Sequence, residues 1–573
     1  MSWKENLQVW EEYPDLDLDL KIKLTELKND DKKAEEAFYA PMEFGTAGMR
    51  GVMGPGINCM NIYTVRQAAS GLAGLMDTLD EKTKQRGVAI SFDSRYNSQL
   101  FAIESAKVLG VHGIKSFLFD SLRPTPELSF AVRELNAYAG IMITASHNPK
   151  QYNGFKIYGE DGGQMPPKES DIITDYVRKN SDLFAIEVKD IEELRENGLV
   201  DLIGEDIDKI YLENLKTVSV DHALIEQEGS DLSLVYSPLH GTGKVIAPRM
   251  FGDMGFDKIS MVAKQAILDP EFATVPFPNP EFTQAFDMAI DQGKNENADV
   301  LIATDPDADR LGAAVRLPSG EYQLMTGNQI ASVLIEYILH SMKENNKLPA
   351  NGAVIKSIVS TELATKIVNS YGLKMFDVLT GFKYIAELIQ DFEDTKSNTF
   401  LFGFEESYGY LVKGFVRDKD AMQASLLLAE VSAFYKSQGK TMYDGLLDLY
   451  KKYGYYQEKT ISETFEGVDG KQIMADLMTK FRQEGFTEIA GHKVVKTMDF
   501  QSQVATTSEG EEKIALPQAN VLKYILDDET WIAIRPSGTE PKIKFYIGVT
   551  DDSQEASDNK LNEYVKEINN WTN

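Results

Sequence analysis

The chain reads as an α/β protein made of three successive strand–helix units and closed by a separate α+β unit. Three observations carry that expectation. Apolar, β-branched runs such as GVAISF, IMIT and DVLIAT alternate with longer segments of helical spacing such as VRQAASGLAGLMDTL and NQIASVLIEYILHSM; that alternation builds layers around a largely parallel sheet. At 573 residues the chain exceeds what one core serves, so roughly three to four domains are expected. After Tyr450 the pattern changes to an Asp/Glu/Lys-rich, more β-like segment ending in TWIAIRPSGTEPKIKFYIGV.

In chain order, residues 1 to about 40 are charge-rich with helical spacing, an arm for which Trp3 and Trp10 are candidate anchors. FGTAGMRGVMGPG follows, a Gly-rich loop suited to tight turns and to close approach of a ligand. A helix (VRQAASGLAGLMDTL) leads to the strand GVAISFDSR, which ends on Asp93 and Arg95, then to the helix FAIESAKVLGVHG and the strand IKSFLFD. Next comes AGIMITASHNPKQYNGFKIYGEDGG. Its apolar run stops abruptly at Ala145-Ser146-His147-Asn148-Pro149, and a second extended segment, Phe155 to Tyr158, leaves from an Asn153-Gly154 turn. A buried strand that ends in a tight polar loop is a good way to present a nucleophile, here Ser146.

Residues 165 to 230 are acidic and helical. LSLVYSPLHGTG, MGFDKISMV and ADVLIATDPDADR then restart the strand–loop pattern. NQIASVLIEYILHSM opens a third unit holding GAVIKSIVS, LTGFKYI and TFLFGFEESYGY, and the long helix AMQASLLLAEVSAFYKSQG closes it. The expected domains are 1–205, 206–323, 324–450 and 451–573.

Composition narrows the function. Hydrophobic residues at 43% are ample for sizeable cores. Asp and Glu number 89 against 59 Lys and Arg, a formal net charge of −30. That field repels nucleic acid and anionic membrane, so neither is an expected partner, and an anionic substrate needs a local basic pocket. A single cysteine, Cys59, excludes an internal disulfide framework. None of the six histidines is paired at zinc-ligand spacing. The N-terminal stretch lacks the pattern of a secretory signal and no apolar run is long enough to span a bilayer. A cytoplasmic protein is expected.

Four polar loops follow apolar strands, in AGIMITASHNP, ADVLIATDPDADR, TFLFGFEESYG and TWIAIRPSGTEP. Ligand sites in open α/β sheets favour the carboxyl ends of strands, so the four loops suggest one shared cleft. In DPDADR, Asp305, Asp307 and Asp309 alternate directly after a strand. Three carboxylates converging from one short loop repel one another without a cation, which points to a hard, oxygen-ligated metal, with magnesium the best fit. An EF-hand is excluded because Arg310 stands where its loop needs Gly and Arg316 where it needs Glu. RPSGTEPK offers Arg535, Ser537, Gly538, Thr539 and Lys542 within one turn, a composition that suits a phosphate. HGTGK is no P-loop: Pro238 replaces the first Gly and Val245 follows the Lys. In GFEESYG, Glu405 and Ser407 share one side of an extended segment, a pairing that suits sugar hydroxyls and is also common on surfaces. Lys156, ten residues beyond Ser146, could balance charge at the serine or act as acid/base; a solvated strand lysine would read the same.

Taken together, TASHNP…NGFK, DPDADR, GFEES and RPSGTEPK resemble the α-D-phosphohexomutase superfamily, specifically its bacterial α-phosphoglucomutase branch, in the family's order and over nearly the whole chain. The resemblance implies a four-domain architecture, three related α/β domains and a C-terminal α+β domain of the TATA-binding-protein-like type around a central cleft. It implies Ser146 as the phosphoserine, with Asp305, Asp307 and Asp309 binding one Mg²⁺ together with an oxygen of that phosphoserine. Lys156 and His147 match residues around the phosphoserine, with Lys156 the expected general acid/base, and Arg50 matches an active-site arginine. Thr380, Gly381 and Lys383 resemble a substrate-recognition loop, Glu405 and Ser407 the sugar-hydroxyl loop, and Arg310 follows the aspartates as in relatives. Arg535, Ser537, Gly538 and Thr539 resemble the grip on the non-reacting phosphate. The implied activity interconverts glucose 1-phosphate and glucose 6-phosphate, a sugar-phosphate substrate, with glucose 1,6-bisphosphate as intermediate and activator. Ala47 stands where many relatives carry Ser, EESYG lacks a following His, and the N-terminal arm is long. The first and last of these are shared with a branch that contains phosphopentomutases. Phosphomannomutase or phosphopentomutase activity are therefore the alternatives within the fold. A phosphoserine-intermediate phosphatase and a non-catalytic sugar-phosphate sensor are the alternatives outside it.

Overall fold

The structure is a computed structural model that describes residues 2–44, 48–465, 470–537 and 542–571. The chain forms two bodies. The first comprises Met1–Met325, Ala386–Asp394 and Ser407–Thr441, and the second Thr326–Ile385, Thr395–Glu406 and Met442–Asn573.

The first body contains two sheets. One is built from β1 (Met49–Val52), β2 (Val88–Phe92), β3 (Ser116–Phe119), β4 (Ala139–Ile143), β5 (Tyr152–Tyr158) and β6 (Val200–Ile203), in the order β1-β5-β4-β2-β3-β6. Strands β4, β2, β3 and β6 run parallel, while β5 is antiparallel to β4 and β1 antiparallel to β5. Strands β2 and β4 are buried along their whole length, as expected of near-continuous apolar strands covered on both faces.

Two expectations change here. The chain reverses at Ser146–Gln151, and Asn153-Gly154 lies inside β5 instead of forming a turn. Asn153 accepts from the Gly154 N–H at 2.7 Å and donates to the Tyr96 carbonyl and to Ser98 Oγ, so its side chain is consumed by neighbouring segments. Gly154 is needed because β5 is squeezed between β1 and β4: a Cβ there would lie 2.5 Å from the Thr144 carbonyl oxygen. Part of the Gly-rich loop is likewise a strand, β1, with Arg50 opposite Gly154.

The N-terminal arm folds as helices Trp3–Glu12, Leu18–Leu27 and Asp31–Phe38. Ser2 and Glu5 form a capping box at its start. Trp10, 2% exposed, meets Phe38, Tyr63 and Phe184 edge-on, with ring centroids 5.4–5.8 Å apart.

The second sheet comprises β7 (Ser233–Ser237), β8 (Lys258–Met261), β9 (Val300–Thr304), β10 (Leu311–Arg316) and β11 (Tyr322–Met325), ordered β11-β10-β9-β7-β8. Its central β9 is wholly buried and delivers the aspartate loop. The helix Ala421–Ser437, which sequence order assigns to the third unit, packs in this first body against helices His222–Glu228 and Gly243–Met254 and against β9. It is buried on all sides, as suits a helix that is apolar all round.

The second body holds the parallel strands β12 (Gly352–Ser357), β13 (Lys374–Val378) and β14 (Thr399–Glu405), with β12 in the middle. It also holds an antiparallel sheet of β16 (Tyr455–Thr464), β18 (His492–Asp499), β19 (Val504–Thr507), β20 (Gly510–Lys513), β21 (Leu522–Leu526), β22 (Trp531–Pro536) and β23 (Lys542–Asp551); β15 (Gly409–Leu411) belongs to the first body and β17 (Glu488–Ile489) pairs with β18. Ile358, Val359 and Leu379 share one apolar core with Phe500, Trp531, Ala533 and Tyr546 of the C-terminal sheet. Lys523 adds a 2.8 Å hydrogen bond to the Ile358 carbonyl. Among the described residues, no helix is long and apolar enough to cross a membrane.

Candidate active site

Strand β4 ends on Ile143, and the chain turns shortly after through Ser146, whose φ of 51° is left-handed. That turn points the serine hydroxyl at the loop after β9. Ser146 Oγ donates a 2.6 Å hydrogen bond to Asp305 Oδ2 and lies 3.1 Å from His147 Nδ1. Arg50, on β1, donates to the Asn148 side chain of the same loop at 2.9 Å.

Asp305, Asp307 and Asp309 are buried, and their carboxylates bring oxygen atoms within 4.8 Å of one another. Asp305 Oδ1 accepts from the backbone N–H groups of Asp309 and Arg310. Thr125 donates to Asp307 Oδ2 at 2.9 Å, and Lys156 Nζ lies 2.9 Å from the same atom and 3.6 Å from Asp309 Oδ2. Lys419 Nζ stands 3.2 Å from Asp309 Oδ2 and 3.0 Å from Asp418 Oδ1, and the Tyr158 hydroxyl donates to Asp418. Asp307 Oδ1 and Asp309 Oδ1 are buried and accept no hydrogen bond among the described residues. Buried carboxylate oxygens left without donors are costly unless a cation takes them. An all-oxygen, carboxylate donor set selects a hard divalent ion. The trio is a candidate metal site.

The charges follow from this crowding. Burial, and then the neighbouring Asp307 and Asp309, push the Asp305 carboxyl well above the usual carboxylate range. Burial also opposes ionisation of Asp309, but Lys419, Lys156 and Arg310 outweigh it and hold that carboxyl low. Burial alone would depress the Lys156 ammonium, yet Asp307 and Asp309 keep it above its ordinary value. Burial, then Arg310 and Arg50, drives His147 well below the usual imidazole value, so it is neutral beside the serine.

Arg310 pairs with Glu281 at 2.8 Å and donates to the Ser407 carbonyl at 3.0 Å. The expected residues of the first body (Ser146, His147, Lys156, Arg50, Arg310, Ser407 and the three aspartates) thus form one connected set. In the second body, Glu405 accepts from the Gly381 N–H at 2.8 Å, which joins the GFEES and TGFK loops. The Thr380 hydroxyl is buried beside them, and Lys383 lies in the first turn of the helix Phe382–Thr395. Burial, and then Glu405, push Glu406 up to about 7, and Ser357 donates to it. Arg535 lies one residue before the end of β22, opposite Lys544, and the Ser537 N–H donates to the Lys542 carbonyl. Gly538 and Thr539 lie outside the described residues.

Sequence reasoning did not assign Lys419, Asp418, Thr125 or the pair Asp93–Arg95 to the site. The strand-end DSR and the acid–base run RDKD at 417–420 were the available signals. The rejected HGTGK segment does have a part here: the Thr242 N–H donates to the Pro306 carbonyl at 2.8 Å, and a Cβ on Gly241 would lie 2.3 Å from Pro306 Cα. It backs the aspartate loop.

Comparison with known proteins agrees in both sequence and fold. Family descriptions of phosphoglucomutase/phosphomannomutase match in order: alpha/beta/alpha domain I over residues 41–183, domain II over 209–318, domain III over 326–453 and the C-terminal domain over 478–560. The phosphoglucomutase of Staphylococcus haemolyticus (strain JCSC1435) is 40% identical over 533 residues, covering 93% of this chain and 94% of its own. That of Staphylococcus aureus (strain USA300) is 38% identical, covering 91% of each. Among solved structures, the open form of Paramecium pp63/parafusin superposes with a TM-score of 0.67 at 18% identity, covering 93% of this chain and 95% of that one. A phosphoglucomutase/phosphomannomutase family protein from Burkholderia thailandensis gives 0.64 at 17%, covering 91% and 96%. At such identities the two structures show a shared fold, while the sequence matches extend over the whole four-domain arrangement. The chain belongs to the phosphoglucomutase/phosphomannomutase family, within the α-D-phosphohexomutase superfamily.

Proposed function

We propose that the protein is a phosphoglucomutase that interconverts α-D-glucose 1-phosphate and glucose 6-phosphate through a phosphoserine at Ser146, with glucose 1,6-bisphosphate as intermediate and activator and Mg²⁺ as the metal. The observation that carries the proposal is the 2.6 Å contact between the Ser146 hydroxyl and Asp305 of the metal trio. The curated relatives at 38–40% identity bear the name phosphoglucomutase.

Phosphoryl transfer is mostly positioning and charge neutralisation. In the first half-reaction the 6-hydroxyl oxygen of glucose 1-phosphate attacks phosphorus, the bond from phosphorus to Ser146 Oγ breaks, and glucose 1,6-bisphosphate forms. The proton lost by the sugar hydroxyl ends on Ser146 Oγ, and Lys156 is assigned its transfer. The bisphosphate then turns over, its 1-phosphoryl group passes to Ser146 Oγ, and glucose 6-phosphate leaves. Asp305, Asp307 and Asp309 would hold Mg²⁺ together with a phosphoserine oxygen, and the ion would neutralise charge on the moving phosphoryl group. Lys156, held as an ammonium between Asp307 and Asp309, adds positive charge and supplies the acid half of its role. His147 is assigned as an uncharged hydrogen-bond partner of Ser146, and Arg50 and Arg310 as anion contacts. Thr380, Gly381, Lys383, Glu405 and Ser407 are assigned to the sugar, and Arg535, Ser537, Gly538 and Thr539 to the non-reacting phosphate. The proposal keeps domains at 1–205, 206–323, 324–450 and 451–573, and a cytoplasmic setting.

Parallel assays with glucose 1-phosphate, mannose 1-phosphate and ribose 1-phosphate test the reading. The highest kcat/KM is expected on glucose 1-phosphate, with free phosphate released far more slowly than isomer. Faster turnover of the mannose or ribose ester, or free phosphate released at the turnover rate, would overturn it.

A further inference from the structure

Ser146 occupies a backbone region that non-glycine residues rarely adopt, at φ 51°. Strain of this kind persists only where the surroundings over-determine it. Both backbone polar groups of Ser146 are held by one buried assembly. Its N–H donates to Thr144 Oγ1 at 2.8 Å, and that hydroxyl in turn donates to Asp93 Oδ2 at 2.7 Å. Its carbonyl accepts from Arg95 Nη2 at 2.6 Å, and the same nitrogen reaches the Asn148 carbonyl at 2.5 Å. Arg95 Nη1 takes the Pro149 and Tyr152 carbonyls at 2.9 and 3.1 Å, so one guanidinium gathers four carbonyls of the nucleophile loop.

The two arms meet in a single ion pair, with Arg95 Nε 3.2 Å from Asp93 Oδ2. Asp93 Oδ1 accepts from the Arg95 N–H and from Ser98 Oγ, and the guanidinium lies over the Phe272 ring at 5.0 Å. Asp93, Arg95 and Thr144 are all buried. A buried ion pair is by itself weak evidence of a stabilising role. The fork geometry of arginine, by contrast, suits the collection of several acceptors at fixed angles.

We propose that Asp93, Arg95 and Thr144 form a positioning unit that locks Ser146 in its left-handed conformation and thereby aims Oγ at Asp305 for both phosphoryl transfers. The inference deepens the phosphoglucomutase reading and rests on it. The unit acts through the backbone of the nucleophile, so its loss lowers the rate of transfer and leaves substrate binding intact.

The test compares Thr144→Val, Arg95→Lys and Arg95→Met with the wild type. It measures kcat and KM for glucose 1-phosphate, the single-turnover rate at which glucose 1,6-bisphosphate phosphorylates Ser146 (read by intact-protein mass spectrometry), and folding by circular dichroism. Thr144→Val removes a hydroxyl at nearly constant shape and carries the test if Arg95→Met fails to fold. The expected result is a fall of roughly 10- to 100-fold in kcat and in the single-turnover rate, with KM within about twofold. Arg95→Lys is expected to lie between the wild type and Arg95→Met. Folded Thr144→Val and Arg95→Lys with wild-type rates would overturn the positioning unit alone, as would rate losses that merely follow the unfolded fraction. A wild type that never carries phosphate on Ser146 would overturn the phosphoglucomutase reading instead.

Discussion

Ser146 and Asp305, separated by 159 positions in the sequence, are joined by a 2.6 Å hydrogen bond from Oγ to Oδ2. Each residue stands just beyond a fully buried strand, β4 and β9 respectively, so the contact joins the loops of two different sheets. It places the serine hydroxyl against a cluster of three buried carboxylates. That crowding is unfavourable without a cation. Asp305→Asn is therefore expected to stabilise the metal-free protein by on the order of 1 kcal/mol. The same change should abolish the Mg²⁺-induced rise in melting temperature and lower kcat roughly 10²- to 10³-fold. Thermal melts in chelator and in Mg²⁺, paired with the mutase assay, check all three.

Gly241 lies against the aspartate loop with no room for a side chain: a Cβ would meet Pro306 Cα at 2.3 Å and its carbonyl oxygen at 2.4 Å. These are backbone atoms, so relief requires the aspartate loop itself to move. Gly241→Ala is expected to cost about 1–3 kcal/mol of stability and to raise the Mg²⁺ concentration needed for half-maximal activity. Titration of activity against Mg²⁺ measures the second effect.

Asp420 caps the buried helix Ala421–Ser437, accepting from the N–H groups of Met422 and Gln423 and from the Tyr211 hydroxyl. Burial raises its carboxyl from 3.8 to about 6. An acid with a raised folded-state pKa binds its proton more tightly when native. Between pH 3.8 and about 6 this group's contribution to stability therefore falls as pH rises, and the cost is complete above about pH 6. Asp420→Asn keeps the capping oxygen without the charge. It should be more stable than wild type at neutral pH by up to about 3 kcal/mol, with the gap closing as pH falls toward 4. Denaturant melts across that range decide it, and a gap that widens toward acid would contradict the account.

Trp10 anchors the N-terminal arm through Phe38, Tyr63 and Phe184. Trp10→Ala is expected to destabilise the arm by about 3–5 kcal/mol and expose residues 2–38 to protease, while kcat stays within about twofold. Limited proteolysis followed by assay of the same sample separates the two effects.

The parts of this protein that were legible in the sequence are those whose chemistry is local. A strand running into TASHNP or DPDADR carries its own hydroxyl or its own three carboxylates, so Ser146 and the aspartate trio could be read as candidates from a few residues each. Lys419, Thr125 and Arg95 act only through partners brought close by folding, and a charged run such as RDKD looks like ordinary surface until Asp309 lies beside it. Asn153-Gly154 carries the signature of a hairpin turn, yet tertiary hydrogen bonds from the Asn side chain keep it within β5. The helix Ala421–Ser437 falls within the span of the third family domain, as sequence order has it. Its uniform apolarity could not say that its packing partners are helices of the first body.

The central claim is that Ser146 carries the phosphoryl group between the two ends of the sugar, and transfer of label tests it most directly. Wild-type protein and Ser146→Ala are incubated with Mg²⁺ and glucose 1,6-bisphosphate labelled at phosphorus, digested and mapped, and a second sample is chased with unlabelled glucose 1-phosphate. The account predicts label on the Ser146 peptide of the wild type alone, and its loss into hexose bisphosphate during the chase. Label on another residue, or a Ser146→Ala variant that isomerises glucose 1-phosphate at the wild-type rate, would contradict it.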